Sequence, residues 1–290
     1  MFSTIIKSTL AAAAVALLSI DSMAQIQTPR PSPLATVTQK LALTEVTVVY
    51  SRPGAKSRKI YGDLVPFGEM WRTGANSITT VRFADAVSIN NRLVPAGRYA
   101  LLTIPGEKEW TVILSKDSAL AGVSDYKQEN DAARFMVRPR MLRESYESFT
   151  IDFSNFIDEG ATLSILWENT AIDLAITQDI DSKIEAAIST TLAGDPTAVK
   201  ASDYHSAAVH YMNKGKDLPK ALVWMEKSLE MRPDAFWYVH RHAELLGKMG
   251  KKDEAIATAE KSLKMARENE DGDYGYVKRN EELIAKLKAN

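Results

Sequence analysis

The polarity of the chain changes period near residue 179. Upstream, apolar and polar residues alternate. Over 43–50, Val46, Val48 and Tyr50 fall on one face and Thr47 and Val49 on the other, the two-residue period of a half-buried strand. Further strands are predicted over 78–83, 86–89, 99–104, 110–114, 135–138, 149–153, 161–167 and 171–176. Trp110 and Trp167 lie inside these strands at core-like spacing. Turn chemistry separates several of them. Asn90-Asn91 accepts positive φ, and Pro95-Ala96-Gly97 and Pro105-Gly106 suit type II turns. About nine short strands with frequent turns predict an antiparallel β-sandwich, a barrel being the alternative. The segment 115–133 is charged and irregular and reads as a long loop or a short helix.

Downstream the period becomes helical. Ile184, Ala187, Ile188 and Leu192 share a helix face, and Gly194-Asp195-Pro196 ends that run. An internal repeat follows. Glu226-Lys227-Ser228-Leu229-Glu230-Met231 recurs as Glu260-Lys261-Ser262-Leu263-Lys264-Met265, and Ala221-Leu222 as Ala255-Ile256, all at an offset of 34 residues. That is the period of the tetratricopeptide repeat, a helix–turn–helix unit. Ala221, Ser228 and Pro233 match its small-residue and proline positions; Ala255 and Ser262 match in the second copy, which lacks the proline. Gly215 and Gly250 mark the turns, and Trp224 and Trp237 are expected to pack between repeats. Two repeats fall short of the roughly three units that bury a continuous face. The helices around 182–193 and 276–289 are expected to supply the missing surface.

The first residues carry a different signal. Lys7 precedes the apolar run Leu10 to Leu18, and Ser22-Met23-Ala24 follows with small residues where a signal peptidase reads. This is the layout of a secretory signal peptide, with cleavage after Ala24. The run is too short to span a bilayer, which takes about 20 residues, so a soluble periplasmic or secreted protein without a membrane anchor is expected after cleavage. The expected organisation is a signal peptide over 1–24, an extended proline-rich leader over 25–40, a β-sandwich over 41–178, a connecting helix over 179–201 and helical repeats over 202–290.

Composition removes several kinds of chemistry. With 36 basic and 37 acidic residues the formal charge is -1, without the basic excess that phosphate neutralisation demands of a nucleic-acid binder. No cysteine is present, which excludes disulfides, thiolate metal sites and cysteine nucleophiles. All four histidines, His205, His210, His240 and His242, fall in the repeat helices. Two residues on a helix turn side chains about 200° apart, so His240 and His242 do not chelate one ion. No metal or other cofactor is expected.

Tyr50-Ser51-Arg52-Pro53, Leu64-Val65-Pro66-Phe67-Gly68 and above all Trp71-Arg72-Thr73-Gly74-Ala75-Asn76 resemble an uncharacterised family of secreted bacterial domains, classed as domain of unknown function 2911. Pro95-Ala96-Gly97-Arg98-Tyr99 and Trp110-Thr111-Val112-Ile113-Leu114 resemble it too. The resemblance covers about 41–178. It departs at Ser115, where the family pattern has asparagine, and over Ser118 to Gly122, where it has tryptophan-glycine. The resemblance implies export and a β domain followed by helical repeats. It implies no activity.

The densest polar constellation lies between the first two predicted strands: Arg52, Lys56, Arg58, Lys59, Arg72 and Asn76. Guanidinium groups bind carboxylates and phosphates through paired donors in a plane, and Trp71 offers an apolar wall or a sugar-stacking face. The candidate ligand-binding residues are therefore Arg52, Arg58, Trp71, Arg72 and Asn76, for an anionic or carbohydrate ligand. The competing reading is a buried structural network in which Arg52, Arg72 and Asn76 satisfy main-chain carbonyls and Asp63 or Glu69 in a long ordered loop. No Gly-x-Ser-x-Gly motif and no β-domain histidine supports nucleophilic catalysis. Asp63, Glu69, Asp85, Glu107 and Glu109 are available as carboxylates, in no recognisable frame. The first expectation is a non-catalytic binding or interaction module, with a possible protein partner on the helical repeats. An envelope-glycan hydrolase using paired carboxylates and a pure scaffold are the alternatives.

Overall fold

The computed structural model of the chain describes residues 28–289, so the signal peptide expected over 1–24 lies outside the described residues. The described residues divide into two compact units, the first ending at Gln178 and the second beginning at Asp179. The first is built of antiparallel sheets and the second of helices.

In chain order the strands are β1 (Leu34–Leu41), β2 (Thr44–Ser51), β3 (Thr80–Phe83), β4 (Val87–Ile89), β5 (Arg92–Val94), β6 (Gly97–Ile104), β7 (Trp110–Ser115), β8 (Asp131–Val137), β9 (Arg140–Ile157) and β10 (Gly160–Thr177). They form a six-stranded sheet, β1-β2-β3-β6-β7-β8, and a four-stranded sheet, β5-β4-β10-β9. Side chains of both sheets meet in one core. Val46, Val48, Tyr50 and Trp110 come from the larger sheet; Phe149, Ile151, Ile165, Trp167 and Ile172 come from the smaller. The other face of the larger sheet is also covered. Ile78, Ala100, Leu102 and Ile113 pack there under Leu120, Val123 and Tyr126 of the segment after β7. That segment, expected as a loop or a short helix, holds two 3-10 turns, Val123–Asp125 and Gln128–Asn130.

Two features depart from the sequence reading. The first is the leader expected over 25–40: most of its second half is β1, paired with β2 from Leu34↔Ser51 to Leu41↔Thr44. Its burial alternates between exposed and intermediate up to Lys40, and only Leu41 at its end is buried. An edge strand paired on one side tolerates Thr, Gln and Lys, which hides it in a polar stretch. The second is β10, which runs unbroken through the two strands expected over 161–167 and 171–176. It nevertheless doubles back. Ser164 Oγ donates to Asp173 at 2.6 Å, although nine residues of straight strand span about 30 Å. The corner is Glu168, at φ 46°, flanked by register shifts against β9 on both sides. Bulges of this kind bend a strand and re-aim its side chains.

The helical unit comprises α1 (Ile180–Ala193), α2 (Ala201–Lys214), α3 (Leu218–Met231), α4 (Phe236–Lys248), α5 (Lys252–Glu268) and α6 (Tyr276–Ala289). The repeated small residues sit where α2 meets α3 and α4 meets α5: Ala221, Ser228, Ala255 and Ser262 are all fully buried. Small side chains let the helices approach closely. Gly215 ends α2 at φ 64° and Gly250 follows α4 at φ 78°, the left-handed stop that glycine adopts without a Cβ penalty. A buried polar chain then ties α6 to its neighbours. Asn280 donates to Ser262 Oγ at 2.9 Å, Ser262 donates to the Phe236 carbonyl at 2.8 Å, and His240 Nδ1 lies 2.8 Å from Asn280 Oδ1.

Candidate functional site

The loop 52–79 joins β2 to β3, the second and third strands of the sheet. It is docked on three sides. The Ala55 amide donates to the Glu147 carbonyl at 2.7 Å and the Phe149 amide to Pro53 at 2.9 Å. Trp71 exchanges both main-chain bonds with Thr103 of β6, at 2.7 and 3.0 Å, and the Gly68 amide donates to Pro105 at 2.8 Å.

The five candidate residues have separate engagements inside this loop. Arg52 donates to the Phe149 carbonyl at 3.2 Å and to Thr150 Oγ1 at 2.6 Å. Arg58 folds back on its own loop, donating to Ala55 and Gly54 carbonyls at 3.0 and 2.7 Å. Arg72 donates to the Asn76 carbonyl, and Asn76 Nδ2 reaches the Ser32 carbonyl at 3.2 Å and Ser51 Oγ at 3.3 Å. Trp71 is partly buried and packs against the core. It stacks on Trp167 with ring centroids 5.8 Å apart, meets Phe149 edge-on at 5.2 Å, and donates its indole N–H to Gly74 at 3.0 Å. The three guanidinium groups share no acceptor in these bonds. Their bonds match the competing expectation of a structural network, with the difference that Asp63 and Glu69 take no part in these bonds. The loop needs such bracing, because Thr73, Gly74 and Asn76 all have positive φ, at 55°, 146° and 58°.

A cavity of about 450 Å³ opens elsewhere along the same loop, and none of the five residues lines it. Tyr61, Phe67 and Trp110 give it an aromatic floor. Glu168, Asn169 and Thr170, the corner of β10, line it too, with Lys59, Glu107, Pro139 and Met141. Each part has a local cause. Tyr61 is fixed edge-on against Trp110, centroids 4.8 Å apart. Phe67 lies over Gly62, where a Cβ would come within 2.6 Å of the ring. The Glu168 carboxylate accepts the Ile60 amide at 3.3 Å, and Asn169 Nδ2 donates to the Leu142 carbonyl at 3.3 Å. Burial, then the nearby Glu168 charge, push the Tyr61 phenol far above its ordinary range, so its hydroxyl stays protonated at every physiological pH.

Glu168 is the residue that sequence reasoning passed over. Its only trace is the polar triplet Glu168-Asn169-Thr170 interrupting two apolar runs. A non-glycine residue in the left-handed region is costly and tends to mark functional sites. Among the described residues no group of three or more His, Asp or Glu side chains is placed to hold a metal ion. In the helical unit His205 stacks on Tyr238 with centroids 3.7 Å apart. Burial, with the Arg241 charge second, lowers its pKa to about 4.

Among known proteins, a family model described as protein of unknown function (DUF2911) matches residues 32–176, a span that starts just before β1 and ends inside β10. No curated protein matches the chain.

Proposed function

The chain belongs to the DUF2911 family of proteins of unknown function, and from that premise we propose that it is an exported, non-catalytic binding module holding a carbohydrate in the cavity at the β10 corner. One observation carries the reading: the aromatic side chains Tyr61, Phe67 and Trp110 line one cavity together with the polar Glu168, Asn169 and Thr170. Sugars offer apolar ring faces to aromatic side chains and hydroxyls to carboxylates and amides, and binding cavities combine the same two elements. Of the two ligand classes expected, the carbohydrate is the better supported. Glu107 and Glu168 outnumber Lys59 on the cavity, which disfavours an anion, while the Arg52, Arg58 and Arg72 guanidinium groups are engaged elsewhere. Export is supported by the tripartite pattern of residues 1–24. The helical unit adds a second candidate surface for a protein partner, a cavity of about 320 Å³ bordered by Met212, Arg241, Lys248 and Leu283.

The same observation supports one alternative, a glycan hydrolase. Glu107 and Glu168 are two carboxylates on one cavity, the minimal set for glycoside cleavage. Titration calorimetry with glycan oligomers separates these readings. Phe67→Ala and Asn169→Ala are expected to weaken binding about tenfold each, roughly 1.4 kcal/mol, with little change in melting temperature for Phe67→Ala, because Phe67 is 39 % exposed, and a small fall for Asn169→Ala, which loses its bond to the Leu142 carbonyl. Unchanged affinity in both variants would remove the cavity as the site. Release of reducing ends, lost in Glu168→Gln, would decide for the hydrolase.

A further inference from the structure

The cavity does not stop at its rim. A second cavity of about 470 Å³ is lined by Glu107, Lys108, Glu109, Arg138 and Pro139. It shares Glu107 and Pro139 with the first, so the two adjoin across one wall. The wall is made by two tight connections, the β6–β7 turn and the β8–β9 junction. The turn is close-packed: a Cβ on Gly106 would lie 2.4 Å from the Glu109 carbonyl oxygen, and the Pro105 carbonyl accepts the Gly68 amide at 2.8 Å. The chemistry changes across the wall. The first compartment has the aromatic floor. The second has no aromatic side chain, and its four charged residues, all exposed, are two acids and two bases.

We propose that these adjoining cavities form one groove with two subsites, and that its ligand is a linear oligosaccharide at least two units long. The inference rests on the carbohydrate reading above and adds the length and charge class of the ligand. One unit lies on Tyr61 and Phe67. The next crosses Glu107 and Pro139 and hydrogen-bonds to Lys108 and Arg138. Because the second subsite balances acids against bases, it suits an uncharged or amide-bearing sugar. Over both compartments Lys59, Lys108 and Arg138 balance Glu107, Glu109 and Glu168, so the groove carries no net positive charge to draw a polyanionic chain.

The test is calorimetric titration of the full chain with N-acetylglucosamine oligomers and glucose oligomers of one to six units. In one series at least, affinity is expected to rise about tenfold or more between the single unit and the short oligomers, and then to level off. Lys108→Ala combined with Arg138→Ala is expected to abolish that gain and leave single-unit affinity within about twofold; both side chains are exposed, so folding is unaffected. Affinity that is flat with length, or a length gain that survives the double variant, overturns the two-subsite groove and leaves the single cavity standing. Binding of neither series at any length overturns the carbohydrate reading itself.

Discussion

At the scale of single residues, a charged side chain is defined by where its donors end. Arg72 carries a planar set of donors suited to an anion, and the fold directs it to the Asn76 carbonyl. It thereby ties together the two ends of a run that includes three positive-φ positions, Thr73, Gly74 and Asn76. A hydrogen bond from a charged group contributes about 1.5–3 kcal/mol, less when water competes, and Arg72 is only partly buried. Arg72→Ala is therefore expected to cost about 1–2 kcal/mol, visible as a lower urea midpoint with an unchanged denaturant slope, and to leave glycan affinity as it is. A variant that keeps full stability and loses ligand would return Arg72 to the binding site.

At the scale of elements, β10 is the strand on which the site depends. Its two halves lie side by side because its first residue is glycine: a Cβ on Gly160 would sit 1.9 Å from the Ile176 carbonyl oxygen. Main chain against main chain has no flexible side chain to yield, so Gly160→Ala must push the halves apart. Overpacking of this severity costs about 3 kcal/mol, read as a fall of roughly 6–12 °C in melting temperature. The displacement reaches the Glu168 corner, so glycan affinity is expected to fall along with stability. A wild-type melting temperature in this variant would mean that the β10 halves are not packed as described.

At the scale of the whole molecule, each unit has its own core. The β unit closes around Tyr50, Trp110, Phe149 and Trp167, and the helical unit around Ala208, Met212, Met225 and Leu245. Units that bury their own apolar residues fold separately. A chain of residues 28–178 and a chain of residues 179–290 are each expected to give a cooperative thermal transition, with the characteristic far-ultraviolet dichroism of strands and of helices respectively. A β unit that aggregates or fails to melt cooperatively would show that the helices are needed to complete it. The candidate cavity is lined wholly by β-unit residues, so the first fragment is also expected to keep the glycan affinity.

The sequence by itself determined the class of each half. Alternation at Val46, Val48 and Tyr50 and the 34-residue recurrence of Glu226–Met231 are local periodicities, and a period dictates which face of a strand or helix is buried whatever the partner. The same locality explains the turn glycines Gly215 and Gly250, whose positive φ is a property of one residue. Only the tertiary structure decided β1, the β10 corner and the site. β1 is polar enough to read as a leader and becomes a strand because β2 offers it a ladder. Tyr61, Trp110 and Glu168 are far apart along the chain and meet only when the loop, the β6–β7 hairpin and the bent β10 pack together. The arginine-rich loop gave the opposite lesson. Charge density can be counted along a sequence, but whether a guanidinium faces a ligand or a carbonyl depends on which acceptors the fold brings within about 3 Å.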